Sequence, residues 1–303
     1  MKAVQFSEYG SPELLHVVDV DEPHAGPGQV RIAVRAAGVN PSDWKRLAGQ
    51  YRDHEEVTFP SGLGVEGSGI VDEVGPGVSN VSVGDSVFGC GEHMMAMAQY
   101  AVLAHWAQKP DNLSFEVAGG LPVISDTATR ALDEVGVKSG ETLLVSGAAG
   151  GIGSAVLQFA RLRGISVIGT ASAQKHDYLR SLGATPTTYG PGLTERVRKL
   201  APAGVDAALD LAGSGIIPEL IEIVGDPSHV LSVADFSATQ HGAKFSYGPP
   251  KDLERLLADV ARLCSEGLFQ LRIEQTFPLD QTAKAQELSA KGHVTGKLEI
   301  TDS

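Results

Sequence analysis

The stretch SGAAGGIGSA, residues 146–155, has the residue types and spacing of a loop that binds a phosphate group. Glycines between a strand and a helix let the backbone approach a pyrophosphate, whose charge is favoured by the amides at the helix N-terminus. Gly150 and Gly153 stand at the second and third glycine positions of the dinucleotide fingerprint, and Ala148 stands at the first. We expect contacts to the dinucleotide from Ala149, Gly150, Gly151 and Ile152.

The segments around this loop predict the strand and helix that it must join. TLLVS (142–146) is a continuous apolar run, which is typical of a strand buried on both faces. Apolar residues from Ile152 to Ala160 recur at helical spacing, and ISVIGT (165–170) reads as a second buried strand. Together they have the length of one βαβ unit.

The end of the second strand decides which dinucleotide fits. In NAD sites an Asp or Glu about 20 residues further on accepts hydrogen bonds from the ribose 2′-hydroxyl. The stretch GTASAQK (169–175) has no carboxylate; Ser172 lies near the acidic position and Lys175 follows it by three residues. A hydroxyl and an ammonium suit a 2′-phosphate, so NADPH is favoured over NADH. The alternative is that Lys175 is simply solvated at a helix start.

Beyond this unit the pattern predicts an α/β fold with a β-rich domain and a doubly wound parallel sheet. Residues 1–121 contain short apolar runs broken by turn residues, with a helix capped by Ser114 near their end. Residues 122–255 form the dinucleotide-binding domain, and 256–303 return to the first domain. Further strands are predicted at 205–211 and 229–234, and further helices at 174–182, 216–224, 253–268 and 280–291.

Composition limits the class of protein. The net charge of −13 disfavours binding to nucleic acid and to anionic membranes. No apolar run has the length of a membrane-spanning helix, and the N-terminus lacks a signal-peptide pattern. Two cysteines do not make a disulfide framework, so a cytoplasmic location is expected. The methionines of EHMMAMAQY (92–100) suit either a pliable apolar wall for a substrate or core filling.

Several motifs in order resemble one family along almost the whole chain. AAGVNPSDW (36–44), GLGVEGSGIVDEVGPGVSNVSVGDSVFG (62–89), the AAGGIG loop and GKLEI (296–300) resemble the medium-chain dehydrogenase/reductase superfamily. The likeness is strongest to its zinc-free quinone oxidoreductases of the zeta-crystallin type and to enone reductases. It implies a GroES-like catalytic domain built from both ends of the chain, a Rossmann domain and a homodimer.

The resemblance also argues against a catalytic metal. Zinc-dependent relatives carry Cys where this chain has Asn40, and His where it has Val65, so that only Glu66 remains of that ligand set. One carboxylate does not hold zinc. In the zinc-free branch an Asn at the Asn40 position lies near the nicotinamide end of the cofactor. We expect no metal.

Asn40 itself and two side chains near it, Lys45 and Tyr51, are the candidate catalytic groups. Lys45 matches a position that often carries Lys in plant-type enone reductases, and an ammonium there can polarise a carbonyl oxygen or donate a proton through water. A solvated lysine on a short helix is the alternative. Tyr51 is a further candidate donor, and Asp43 is expected only to cap the short helix. Solvent is a third source of the proton.

The remaining cofactor contacts follow from family positions. The resemblance implies that Thr127 lies on the nicotinamide side and that Tyr189 lies near the adenosine phosphate. The residues that follow later strands should line the nicotinamide; they are Ala212, Val233 and Ala234. Plain core packing is the alternative for each.

Three functions remain open on these residues. The first is an NADPH-dependent reductase of quinones or α,β-unsaturated carbonyl compounds. The second is an enoyl reductase that acts on a secondary-metabolite intermediate. The third is a non-catalytic NADPH-binding protein.

The Lys175→Ala substitution tests the choice of cofactor. If Lys175 binds the 2′-phosphate, its loss should raise the KM for NADPH much more than the KM for NADH, because NADH lacks that phosphate. Steady-state kinetics with the two cofactors measure the difference. Equal effects on both would remove Lys175 from the phosphate site.

Overall fold

The computed structural model of the chain describes residues 1–91, 94–248 and 251–301. The strands are β1 Lys2–Phe6, β2 His16–Asp19, β3 Val30–Val39, β4 Ser61–Gly62, β5 Glu66–Val74, β6 Ser86–Cys90, β7 Tyr100–Leu103, β8 His105–Gln108, β9 Thr142–Ser146, β10 Ser166–Thr170, β11 Thr185–Thr187, β12 Ala207–Asp210, β13 Val230–Ser232, β14 Lys244–Phe245, β15 Ile273–Pro278 and β16 Lys297–Thr301. The α-helices are α1 Pro41–Leu47, α2 Phe115–Gly119, α3 Leu121–Val135, α4 Gly151–Leu162, α5 His176–Ser181, α6 Leu193–Leu200, α7 Ile217–Val224, α8 Leu253–Ser265 and α9 Thr282–Ala290.

The chain divides into two compact units. The first unit combines Met1–Val123 with Asp252–Ser303, and the second is Ile124–Lys251. Both ends of the chain therefore belong to one unit, and a continuous middle segment forms the other.

The second unit is a parallel six-stranded sheet in the order β11-β10-β9-β12-β13-β14. Counted along the chain from β9, this is the order 3-2-1-4-5-6 of a dinucleotide-binding fold. The connection reverses direction between β9 and β12, and ligands of such sheets bind at the carboxyl ends of the strands near this point. Strand β9 is apolar and buried because both faces of the sheet are covered.

The first unit contains a mainly antiparallel sheet in the order β15-β16-β3-β5-β6-β8, with β7 also paired to β3. The last strand of the chain, β16, lies between β3 and β15, and its pairing with β15 is parallel. A small sheet β2-β1-β4 accompanies it. Pairing of β16 with β3 places residues 297–301 beside residues 36–39.

The structure confirms most of the predicted elements. Strand β9 matches 142–146, and Ser114 caps α2 by accepting a hydrogen bond from the backbone N–H of Val117. The helix predicted at 174–182 is a 3₁₀ turn followed by α5. The elements β11, α6 and β14 were not predicted, since each of these strands has three residues or fewer and α6 has only two buried side chains.

Among residues 1–91, 94–248 and 251–301 no helix has the length and apolar character needed to span a membrane. In the methionine-rich segment, Glu92 and His93 lie outside the described residues, and Met97 is buried in the core of the first unit.

Candidate functional site

The glycine loop makes its tight turn one residue earlier than the fingerprint predicts. Gly147 has a φ of +78°, a left-handed backbone conformation that favours glycine. A Cβ there would also lie 3.3 Å from the backbone N of Ala212. Gly147 thus supplies the turn that the first fingerprint glycine would give. Ala148 fits at that fingerprint position because its own backbone is not in the left-handed region.

The other two fingerprint glycines differ in what surrounds them. A Cβ on Gly153 would lie 2.4 Å from the carbonyl oxygen of Gly147, so this glycine is required for α4 to pack on the loop. A Cβ on Gly150 would have that same oxygen as its neighbour at 3.7 Å, an ordinary contact. Protein packing does not require a glycine at Gly150, whereas close approach of a pyrophosphate does.

The other predicted cofactor residues of the second unit follow the carboxyl ends of neighbouring strands. Ser172 and Lys175 follow β10, and both are half-buried, with the Lys175 backbone N–H bonded to the Ser172 carbonyl. Tyr189 follows β11, Ala212 follows β12, and Val233 with Ala234 follows β13. Thr127 is buried on α3. The parallel sheet brings the strand-end residues to one edge; their roles stay predictions.

A buried carboxylate and hydroxyl organise two of these strand ends. Oδ1 of Asp210 accepts from the backbone N–H groups of Ala212 and Gly213 at 3.1 Å each, and Oδ2 accepts from Oγ of Ser232 at 2.9 Å. Ser232 Oγ in turn accepts from the backbone N–H of Ala234 at 3.0 Å. The side chains of Asp210 and Ser232, which are bonded to each other, therefore fix the backbone of the turns after β12 and β13.

Tyr189 lies on a loop held by an arginine. The Arg196 guanidinium donates to the backbone carbonyls of Thr188 and Gly190 at 2.9 Å each and of Pro191 at 2.8 Å. The Tyr189 side chain is 55% exposed. The Tyr189 ring is thus accessible to a ligand, and the loop that carries it has a backbone conformation fixed by the Arg196 hydrogen bonds.

In the first unit, Asn40 joins a buried ion pair to the start of α1. Its side-chain Nδ2 donates to Glu66 Oε1 at 2.8 Å, and its Oδ1 accepts from the Lys297 ammonium at 2.6 Å. Lys297 Nζ also lies 2.6 Å from Glu66 Oε1. The backbone N–H of Asn40 donates to Asp43 Oδ2 at 2.8 Å. Asp43 thus has the expected capping role, but as the third residue of α1 in a capping box whose N-cap is Asn40.

Two further carboxyl groups of this unit have perturbed acidity. Burial raises the pKa of Asp43 to about 6. Burial also raises the pKa of Glu299 well above its ordinary value, with the nearby Glu66 carboxylate adding to the effect. Neither Glu299 oxygen has a hydrogen-bond partner among the described residues, which favours its neutral form.

The other two candidate catalytic side chains, Lys45 and Tyr51, lie on and just after α1. Lys45 is half-buried, and its ammonium lies 5.8 Å from the centre of the Trp44 ring. Tyr51 is half-buried in the turn that follows, where its carbonyl accepts from the backbone N–H groups of His54 and Glu55. An ion pair between Arg46 and Glu55 ties α1 to this turn.

Sequence reasoning missed Gly147, Lys297, Asp210 and Ser232. The signal for Lys297 was a lysine and a glutamate inside the apolar C-terminal strand, since charged residues in such a strand need buried partners. Gly147 stood next to the fingerprint. Asp210 and Ser232 gave the weaker signal of polar residues at the ends of buried strands.

The comparisons with known proteins agree with this architecture. Residues 26–120 match the alcohol dehydrogenase GroES-like domain, and residues 182–298 match the zinc-binding dehydrogenase family. A quinone oxidoreductase from Coxiella burnetii is 32% identical, with a TM-score of 0.86 over 100% of this chain and 99% of that chain. A mycobacterial protein solved with NADPH is 25% identical, with a TM-score of 0.86 over 99% of this chain and 100% of that chain.

Relatives by sequence include both short and very long proteins. The 2-methylene-furan-3-one reductase of Solanum lycopersicum is 37% identical over 99% of this chain and 79% of its own length. The pikromycin polyketide synthase component PikAII of Streptomyces venezuelae is 35% identical over 91% of this chain. The chain spans only 8% of that synthase. The chain belongs to the medium-chain dehydrogenase/reductase superfamily, which confirms the resemblance and the GroES-like and Rossmann folds expected from it.

The zinc in one family description does not fit the residues of this chain. Asn40 Oδ1 and Glu66 Oε1 already accept from the Lys297 ammonium, and Val65 offers no side-chain ligand. Among the described residues no group of three His, Cys, Asp or Glu side chains is arranged to hold a metal ion. An amide and a single carboxylate bonded to an ammonium are a poor donor set for Zn²⁺.

The contrast between Gly150 and Gly153 gives a matched pair of variants. Gly150→Ala should change the free energy of unfolding by no more than about 0.5 kcal/mol, because its Cβ meets no close neighbour. It should weaken dinucleotide binding about tenfold, or about 1.4 kcal/mol, by keeping the pyrophosphate off the backbone. Gly153→Ala should lower the free energy of unfolding by about 1–3 kcal/mol through overpacking.

Denaturant unfolding and fluorescence titration with NADPH measure the two effects. If Gly150→Ala binds as tightly as the parent chain, the pyrophosphate does not lie against Gly150.

Proposed function

We propose that the chain is an NADPH-dependent oxidoreductase that reduces quinones or α,β-unsaturated carbonyl compounds without a metal ion. The observation that carries the proposal is the glycine loop at the reversal point of the parallel sheet, where protein packing does not require the glycine at Gly150. The mycobacterial relative solved with NADPH supports the cofactor, and the names of the quinone and furanone reductases support the acceptor class.

The second unit is proposed to bind the cofactor. First-turn amides of α4, which have no intrahelical acceptor, hold the pyrophosphate. Ser172 and Lys175 hold the 2′-phosphate. The nearby Asp177 carboxylate is paired with Arg180 at 2.6 Å, which reduces its repulsion of a phosphate. The bonds from Asp210 and Ser232 fix the backbone of the turns that line the nicotinamide.

The first unit is proposed to act on the acceptor. Bound NADPH supplies a hydride, and a conjugated carbonyl accepts it because its oxygen carries the developing negative charge. The Lys45 ammonium donates a hydrogen bond to that oxygen and lowers the cost of the charge. Tyr51 or solvent then supplies the proton. Homodimer formation and a cytoplasmic location stay predictions from sequence.

A second candidate is reduction of an enoyl intermediate in secondary metabolism. The similarity to a segment of the PikAII synthase favours it, since the chain matches that segment over 91% of its own length. The hydride chemistry is the same, and only the acceptor differs. A non-catalytic NADPH-binding role is the third candidate.

A panel of acceptors separates the three functions. NADPH oxidation is followed at 340 nm with 1,4-quinones, alkenals, cyclic enones, an enoyl thioester and simple ketones. We expect turnover with quinones or enones and none with simple ketones, because a simple ketone lacks the conjugation that spreads the charge. Turnover of the enoyl thioester alone would favour the second candidate. Tight NADPH binding without any turnover would leave the third.

The Lys45→Met substitution tests the proposed electrophilic group. Loss of the ammonium should lower kcat about 100-fold, a typical contribution for a positioned acid or charge. The KM for NADPH should stay within about twofold because a transition-state contact is lost. The matched Lys45→Arg variant keeps the charge and should retain most of the activity. A kcat unchanged in Lys45→Met would show that the Lys45 ammonium does not stabilise the charge on the carbonyl oxygen.

A further inference from the structure

The Lys297 ammonium is buried and fully bonded. Its side chain is only 4% exposed, although lysine is rarely buried unless it is paired. The ammonium donates to the carbonyl of Val39 at 3.3 Å, to Asn40 Oδ1 at 2.6 Å and to Glu66 Oε1 at 2.6 Å. A lysine has three N–H donors, so these three bonds use all of them.

The Glu66 carboxylate is equally constrained. Its side chain is completely buried, and Oε2 accepts from the backbone N–H of Val123 at 2.7 Å. Room for it comes from Gly38, where a Cβ would lie 2.4 Å from Glu66 Oε1. The position of the Glu66 carboxylate is thus fixed by the Val123 N–H, and the absence of a side chain at Gly38 leaves room for it.

Asn40 transmits this geometry to α1. Its amide is bonded to both members of the ion pair, and its backbone carbonyl accepts from the N–H of Asp43 at 3.0 Å. Asn40 therefore fixes the first turn of the helix, and Lys45 follows in the next turn.

We propose that Lys297 is a positioning residue: its ammonium, bonded to both Asn40 and Glu66, sets the position of α1 and of Lys45. This inference rests on the proposed function for the role of Lys45. The position of α1 itself can be measured without any activity.

Three variants test the proposal. Lys297→Met removes the cation and Lys297→Arg keeps it. The double variant Glu66→Gln with Lys297→Met removes both charges, so that Glu66 is not left as a buried carboxylate without its cation. The control is Lys2→Met, which breaks an exposed ion pair of the same 2.6 Å length to Asp19 in the same unit.

The first readout is the kinetic split with NADPH and the best acceptor of the panel. Lys297→Met and the double variant should lower kcat about 100-fold, the cost of a misplacement of about 1 Å, and leave the KM for NADPH within about twofold. Lys297→Arg should recover much of the loss, and Lys2→Met should match the parent chain.

The second readout is Trp44 fluorescence in a Trp106→Phe background, where Trp44 on α1 is the remaining tryptophan of the chain. Displacement of α1 should shift its emission in Lys297→Met and in the double variant, and Lys297→Arg should restore it. If the parent chain turns over no acceptor, the proposed function fails, and this readout still decides the position of α1.

Full kcat and unshifted Trp44 emission in the double variant would overturn the proposal, because the ion pair would then contribute stability only. If Lys297→Met does not fold, the proposal is tested by comparing kcat and Trp44 emission in the double variant and in Lys297→Arg.

Discussion

The buried ion pair between Lys297 and Glu66 is the interaction on which the first unit depends most. A charge removed from water is strongly unfavourable unless a partner and hydrogen bonds replace its hydration. Here the Val39 carbonyl and the Asn40 side-chain amide accept hydrogen bonds from the Lys297 ammonium. The ion pair also requires that position 38 be glycine, because Glu66 Oε1 lies where a Cβ of Gly38 would be. The end of β3, the start of α1 and the last strand of the chain are therefore tied to one polar contact.

A second polar constraint shapes the dinucleotide-binding unit. The Asp210 carboxylate and the Ser232 hydroxyl, both buried, satisfy backbone N–H groups of the turns that follow β12 and β13. Buried backbone groups need such partners. In each unit the irregular backbone near the proposed functional residues is held by buried side chains, while the sheets supply the apolar framework. This division explains how loops of the site keep a defined conformation.

Some secondary-structure elements could be predicted from the sequence and others could not, for physical reasons. Strand β9 and helix α4 followed from apolar runs and helical spacing, since burial on both faces of a parallel sheet leaves that pattern in the sequence. Strands β11 and β14 have only three and two residues, too few for any period to stand out. For the candidate site, the glycine loop was evident, and Lys297 was not, because its partners lie 231 and 257 positions away.

Local spacing in the sequence was sufficient to determine the glycine loop, the strand and helix on either side of it, and the absence of a carboxylate after β10, because each depends on neighbouring residues. Only the tertiary structure decided which glycine makes the tight turn and which glycine the packing of the protein does not require. It alone also brought Lys297 to Asn40 and Glu66. Contacts of that kind depend on strand pairing across the whole chain, as when β16 pairs with β3, and no local pattern encodes the partner.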